Sequence, residues 1–237
     1  MSTVIIVGGH SGDEEIMTGA LAHRLVREGH TVRFVSLTNG DGGHPTLSRS
    51  EYAIQKERES AEAAAVIGAE RVLYPASSGS LEISLEVQEF LAKEFRTYKP
   101  SLVITHWRGS IHRDHVAAYY NVKYAVMLAA KSEYGEGEPY KVPEVLYADN
   151  IEDPKDYTPN IIVETDESDE RAWLESCSKY EFFRTAFYDF DYNRYYTGLH
   201  LMRGQMSGKK YNYGCALMRD AGYSYLATQE LRTLELK

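Results

Sequence analysis

Apolar residues fall in short blocks along the first two-thirds of the chain, and amphipathic stretches separate them. Residues 4–7 (Val-Ile-Ile-Val) read as a buried strand, and 14–28 as a helix with Met17, Leu21 and Leu25 on one face. Asp13 is suited to cap that helix and Gly29 to end it. The same alternation predicts strands at 31–37, 71–74, 102–105 and 144–147. Helices fall between them at 51–67, 85–98 and 116–131. Turn formers fill 39–43, and 135–143 reads as a loop. This β-α-β order with short connections implies a Rossmann-like, doubly wound, mostly parallel α/β sheet with helices on both faces. After about residue 165 the pattern changes. Residues 169–187 read as helix, followed by an aromatic and acidic run from Phe187 to Tyr196. With no repeat and no linker-like segment, residues 1–237 are expected to form one domain with an elaborated C-terminal third.

Composition narrows the function classes. The 237 residues are 43% hydrophobic, enough for a good core and too many for a disordered chain. A net charge of −9, with no evident cationic face, argues against nucleic acid as a partner. No stretch approaches the ~20 apolar residues of a membrane span, and the N-terminal apolar run is too short for a signal-peptide core. Two cysteines, Cys177 and Cys215, cannot build a disulfide framework. A cytoplasmic protein is therefore expected.

Chemistry concentrates in two places. His10 and Asp13 lie just beyond the first strand, in Gly8-Gly9-His10-Ser11-Gly12-Asp13-Glu14-Glu15. His112-Arg113-Asp114-His115 lies beyond the fourth. Ligands of open α/β sheets bind beyond the carboxyl ends of the strands, so both clusters face the same region. Two imidazoles and a carboxylate with room for water suit a catalytic Zn²⁺, and ligand type alone leaves Mn, Fe or Co open. The blander alternative is a pair of loops whose polar side chains cap helices. A dinucleotide site fits poorly. The glycines do not follow G-x-G-x-x-G, and strand 31–37 ends without an acid for a ribose.

These residues resemble a known family, the PIG-L or LmbE-like deacetylases, zinc-dependent hydrolases of N-acetylated sugars. The family's His-Pro-Asp-Asp-Glu reads here His10-Ser11-Gly12-Asp13-Glu14, and its His-x-Asp-His reads His112-Arg113-Asp114-His115. The loop 38–43, the alanine-rich helix at 56–68 and the segment 203–216 also resemble the family pattern. The resemblance implies His10, Asp13 and His115 as metal ligands. It implies His112 as the polarising or general-acid histidine, Asp114 as the group that orients or charge-tunes a neighbouring histidine, and Glu14 as an outer support. It further implies a small-molecule partner, an N-acyl amino sugar or glycoconjugate, and a homo-oligomer.

Three positions depart from the family pattern. Ser11 replaces proline, Cys215 stands where a glutamate is common, and Gly12 occupies the place of the general-base aspartate. Asp41, Asp114 and Glu14 are candidate replacements for the base. Glu14 is disfavoured because one residue along a helix turns a side chain about 100° away. Alternatively, Gly12 makes room for a bulkier substrate, or the protein is a catalytically degenerate metal- or ligand-binding relative. Arg49 is a candidate substrate contact, while Lys56 and Arg58 read as a solvated helix face. His44 is the remaining histidine of interest. Of the 19 tyrosines, nine fall between Tyr180 and Tyr225. They read first as core and subunit-interface packing, with pocket lining as the alternative.

Overall fold

A computed structural model of the chain describes all residues except 136, 186, 209–212 and 221–237. Seven strands form one sheet: β1 (Thr3–Gly8), β2 (Thr31–Thr38), β3 (Glu70–Ala76), β4 (Leu102–Thr105), β5 (Val145–Ala148), β6 (Ile161–Thr165) and β7 (Tyr213–Met218). Their order is β3-β2-β1-β4-β5-β7-β6. Strands β1 to β5 pair in parallel, and β7 runs antiparallel to both β5 and β6.

Alternation along β1 explains why it sits at the centre. Val4 and Ile6 pack on one face with Met17, Leu21 and Leu25 of α1 (Asp13–Arg27) and Ile67 of α2 (Arg49–Ile67). Ile5 and Val7 pack on the other with Val87, Leu91 and Phe95 of α3 (Leu85–Tyr98) and Val122 of α4 (Arg113–Ala129). Both faces are apolar because both are covered, as a parallel sheet requires. Ile5 and Ile6 are fully buried. Burying such side chains stabilises the fold by roughly 1.5–3 kcal/mol each.

Several sequence expectations need correcting. Gly12, not Asp13, occupies the N-cap of α1, in a left-handed conformation with φ 111°. The Asp13 carboxylate turns back to accept the His10 N–H at 2.7 Å, so it is not free to cap forward. Helix α4 starts at Arg113, three residues before 116, because His112 is its N-cap, and this brings His115 into the first turn. The helix expected at 169–187 is two helices, α5 (Glu167–Cys177) and α6 (Glu181–Thr185). An Asp166–Asp169 capping box starts the first of them early. Part of the aromatic run belongs to α7 (Tyr192–Met206), and β6 and β7 were not foreseen.

Strand order reverses between β1 and β4, because the chain leaves β1 toward β2 on one side and returns to β4 on the other. Such a reversal opens a crevice at the carboxyl ends of the two strands. His10 and His106 lie just beyond those ends. Among the described residues, no helix is long and apolar enough to cross a membrane.

Candidate metal centre

Three side chains predicted to meet do meet. His10 Nδ1 lies 3.1 Å from Asp13 Oδ2 and 3.2 Å from His115 Nε2. His115 Nε2 lies 3.3 Å from Asp13 Oδ2. The local backbone is built for this approach. A Cβ on Gly9 would come within 2.9 Å of His115 Cδ2, so a glycine is needed where the chain leaving β1 passes the imidazole.

Outer carboxylates set the tautomers. Asp114 Oδ2 lies 3.1 Å from His10 Nε2, and Asp153 Oδ1 lies 3.0 Å from His115 Nδ1. Burial would raise both acids, but His10 hydrogen-bonds Asp114, and His106 and His115 pair with Asp153. Both acids are held below the usual range and stay ionised. Ionised carboxylates only accept, so these outer ring nitrogens carry the protons. The inner nitrogens, His10 Nδ1 and His115 Nε2, then present lone pairs to each other and to Asp13 Oδ2. Three electron-pair donors in contact at 3.1–3.3 Å need extra protons or a cation between them. Bonds of 2.0–2.1 Å around a tetrahedral ion give ligand-to-ligand edges of about 3.3 Å, so the spacing fits a metal such as zinc. Carboxylates behind the ligating histidines are the usual outer support of such sites.

Protons are the competing solution. Burial alone would lower His10 and His115. The Asp13 charge and hydrogen bonds to Asp13, Asp114 and Asp153 carry both histidines above their usual value. Asp13, despite its burial, is held well below the carboxylate range by His115, His10 and His106.

His106 also reaches this centre and escaped the sequence reading. Its Nε2 lies 3.1 Å from Asp13 Oδ2, and its Nδ1 lies 2.8 Å from Asp153 Oδ2. Asp13, His106 and His115 thus form a rival ligand set. Burial alone would lower His106, but the charges of Asp153 and Asp13 and the hydrogen bonds to them push it up to about 10, so in the free protein its Nε2 holds a proton toward Asp13. His106 thus stands between Asp13 and Asp153 as their charged partner, and His10, Asp13 and His115 remain the candidate ligand set. The signal for His106 was available, since it is the first residue after β4, the placement that made His10 a candidate. Asp153 and Glu152 follow β5 in the same way.

His112 lies beside the centre, its ring centroid 4.4 Å from that of His10. Its Nδ1 accepts the Asp114 backbone N–H at 3.2 Å, so the ring proton sits on Nε2. Burial, reinforced by the neighbouring charges of His10 and His115, drops its pKa to about 4. His112 is thus a neutral hydrogen-bond donor in the free protein rather than an imidazolium.

Two base candidates are placed elsewhere. Asp41 Oδ2 accepts from Ser77 Oγ at 2.7 Å and its Oδ1 from Ser78 N at 2.7 Å. It ties the loop after β2 to the loop after β3, and among the described residues no ion pair or hydrogen bond ties it to the centre. Asp114 is fully buried, its oxygens accept from His10, Gly79 and Leu81, and it is absent from the cavity lining, so it positions His10 rather than meeting a water there. Glu14 is buried beneath β1, where a Cβ on Gly8 would touch it at 2.8 Å. Burial and the Asp13 charge push it up to about 7. The carboxylate that does face the centre from the cavity is Glu152, whose Oε2 lies 3.6 Å from His115 Nε2.

A cavity of about 640 Å³ opens over the cluster, a volume that holds a small ligand. Phe182, Tyr188, Phe190, Tyr192 and Tyr196 line one side, so part of the aromatic run is pocket wall as well as packing. Tyr211, Tyr223 and Tyr225 lie outside the described residues. Arg49 lines the cavity as expected, and Arg58 is exposed. Lys56 overturns its surface assignment: it is 3% exposed and lines the same cavity. His44 is a local cap whose Nδ1 accepts from Leu47 N at 2.9 Å, and it does not join the centre.

Together the sheet and the buried His/Asp cluster define a Rossmann-like α/β protein with a candidate site at its strand ends. Residues 5–126 match the PIG-L family, described as GlcNAc-PI de-N-acetylase, and the chain belongs to that family. It is 29% identical over 174 residues to 1D-myo-inositol 2-acetamido-2-deoxy-alpha-D-glucopyranoside deacetylase 2 of Saccharopolyspora erythraea, a match covering 60% of this chain and 64% of that protein. Its fold is shared with N,N'-diacetylchitobiose deacetylase of Pyrococcus horikoshii (TM-score 0.76, 20% identity, 92% and 84% of the two chains). The fold is also shared with the 4-carboxy-2-hydroxymuconate hydratase of Pseudomonas putida KT2440 (TM-score 0.83, 17% identity, 92% and 95%).

Proposed function

We propose that the protein is a metal-dependent deacetylase of an N-acylated amino sugar or a related small molecule. The observation that carries this reading is the meeting of His10 Nδ1, Asp13 Oδ2 and His115 Nε2 at 3.1–3.3 Å beneath an open cavity. Family membership and the deacetylase relative support it. His10, Asp13 and His115 would hold the ion, with zinc favoured by the donor set. Such an ion supplies Lewis acidity toward an acyl oxygen and makes water acidic near neutral pH.

The chain supplies the rest. His112 donates through Nε2 to the oxygen on which negative charge develops. Glu152, the cavity carboxylate beside His115, takes the proton from the attacking water and returns it to the amine nitrogen as the C–N bond breaks, and so stands in for the carboxylate absent at Gly12. Asp114 and Asp153 fix the ligand tautomers. Tyr188, Tyr192 and Phe190 offer faces to an amphipathic ligand. The test is release of free amine from N-acetylglucosamine compounds by zinc-loaded protein, with His115→Ala as control. Turnover that survives chelation or His115→Ala would contradict the reading.

A second reading is addition of water to an activated double bond. The observation favouring it is that Gly12 offers a buried lysine, not a carboxylate, to the cavity. The hydratase sharing the fold supports it only to the extent that such chemistry is housed on this sheet. Its outcome would be loss of enoate absorbance with no amine released.

A further inference from the structure

Gly12 has no side chain, and the space beside it belongs to a cation. A Cβ at position 12 would lie 3.5 Å from Lys56 Nζ and 3.5 Å from the rings of Tyr180 and Phe182. The ammonium donates to the Ser11 carbonyl and sits 4.4 Å and 4.5 Å from the centroids of those two rings. One of its three N–H groups is thereby used. Among the described residues no ion pair to Lys56 forms, although Glu59, Asp13, Glu15 and Glu14 lie near enough to favour its charge. Glu15 is itself engaged by the Tyr180 hydroxyl at 3.1 Å.

A charged amine buried without a paired carboxylate is costly, and in a pure packing role methionine would serve better. Here the ammonium, with no carboxylate in ion-pair contact among the described residues, lines the cavity that also holds His10 and Asp13. Arg49, seven residues earlier on α2, lines the same cavity two turns toward the rim. Arg49 at the rim is already engaged, by Asp41 at 3.6 Å and by Ser77 and Ser78, so Lys56 is the cation of this wall with hydrogen-bonding capacity left, while the acids Asp13 and Glu152 stand on the side of His115.

We propose that Lys56 receives an anionic group, a carboxylate or phosphate, on the substrate whose acyl group meets the His10–Asp13–His115 centre. The proposal rests on the deacetylase reading only for the rest of that molecule. The bare backbone of Gly12 leaves the approach to Nζ open. Lys56 is then a specificity residue that selects acidic over neutral N-acyl sugars.

The test uses zinc-loaded protein and three probes: N-acetylglucosamine, N-acetylmuramate for the carboxylate, and N-acetylglucosamine 6-phosphate for the phosphate. Calorimetric binding is measured for the parent, Lys56→Met and Lys56→Arg. At least one anionic probe is expected to bind tenfold or more tightly than the neutral sugar. Lys56→Met should erase that preference, and Lys56→Arg should keep part of it. Whichever anionic probe shows the preference identifies the source of the charge. Equal affinities for all three probes in the parent would overturn the proposal, as would Lys56→Met weakening neutral and anionic probes alike. A readout on the unmutated chain guards against misfolding. The preferred anionic probe should shield Lys56 from reductive methylation, read by peptide mass spectrometry, and absence of shielding counts against the proposal. Free-amine release is followed in parallel. Amine released equally well from neutral and acidic sugars would remove this proposal and leave the deacetylase reading. Lys56-dependent anion binding without amine release would do the reverse.

Discussion

Asp153 grips His115 from behind, its Oδ1 3.0 Å from Nδ1, and its other oxygen holds His106 Nδ1 at 2.8 Å. One buried carboxylate thus fixes two imidazoles stacked with centroids 3.7 Å apart. Asp153→Asn replaces one acceptor oxygen by an amide N–H that faces a ring N–H. It is expected to weaken zinc binding by about 10–100-fold, in the range for such outer-support residues. Chelator competition measures this. Unchanged affinity would mean that His115 does not bind through Nε2.

Metal affinity should fall steeply with acid. Folding around Asp13 raises His10 and His115 above their usual value of 6.5, so protons occupy the same nitrogens as the ion. Binding must then release these protons, and affinity is lost as pH falls through the raised values. Zinc Kd measured by competition at pH 6, 7 and 8 should weaken by more than tenfold from pH 8 to pH 6. A flat profile would show that the ion binds elsewhere.

Glu152→Gln separates base from ligand. As the base, Glu152 should lower kcat on its loss by about 10²–10⁴-fold with zinc stoichiometry intact. Loss of zinc together with activity would instead make Glu152 a fourth ligand, which its 3.6 Å approach to His115 Nε2 also permits geometrically.

Lys56 exchanges stability for chemistry. Burial lowers its pKa from 10.5 to about 8, against the pull of Glu59 and Asp13. Below about 8 the amine is charged in both folded and unfolded chains, and the burial penalty is fully present. Between about 8 and 10.5 the unfolded chain holds more protons, so the parent gains stability as pH rises. Lys56→Met should therefore be more stable than the parent at pH 7, by on the order of 1–3 kcal/mol, and the advantage should shrink by pH 10. Urea unfolding at the two pH values checks both size and sign, and a destabilised Lys56→Met at pH 7 would contradict it.

Gly12→Asp is not expected to restore a family-like base. A side chain there must adopt φ 111° and would meet Lys56 Nζ. The new carboxylate should pair with the lysine, and the left-handed backbone should cost roughly 1–2 kcal/mol. The expected result is a lower Tm and no gain in amine release. A gain of tenfold or more would show that the carboxylate reaches the water.

The sheet core was legible because its signal is local. Strand 102–105 and helix 85–98 follow from apolar blocks, caps and breakers that neighbouring residues supply. Strands β6 and β7 were not legible, because β7 is fixed by antiparallel pairing with β5 and β6 distant in sequence. The same division holds at the site. His10, Asp13 and His115 follow from position at strand ends. The roles of Asp41, Asp114 and Lys56 depend on where each side chain turns. Asp41 turns onto Ser77 and Ser78, Asp114 onto His10, and Lys56 inward under Tyr180 and Phe182. No pattern along α2 distinguishes a lysine that points inward from one that snorkels to water.

The account depends on one ion at one place. Crystals grown with zinc and measured at the zinc absorption edge locate it directly. The account predicts a single anomalous peak about 2.0–2.2 Å from His10 Nδ1, Asp13 Oδ2 and His115 Nε2. A peak bound to His106 Nε2 in place of His10, or no peak within this cluster, would contradict it.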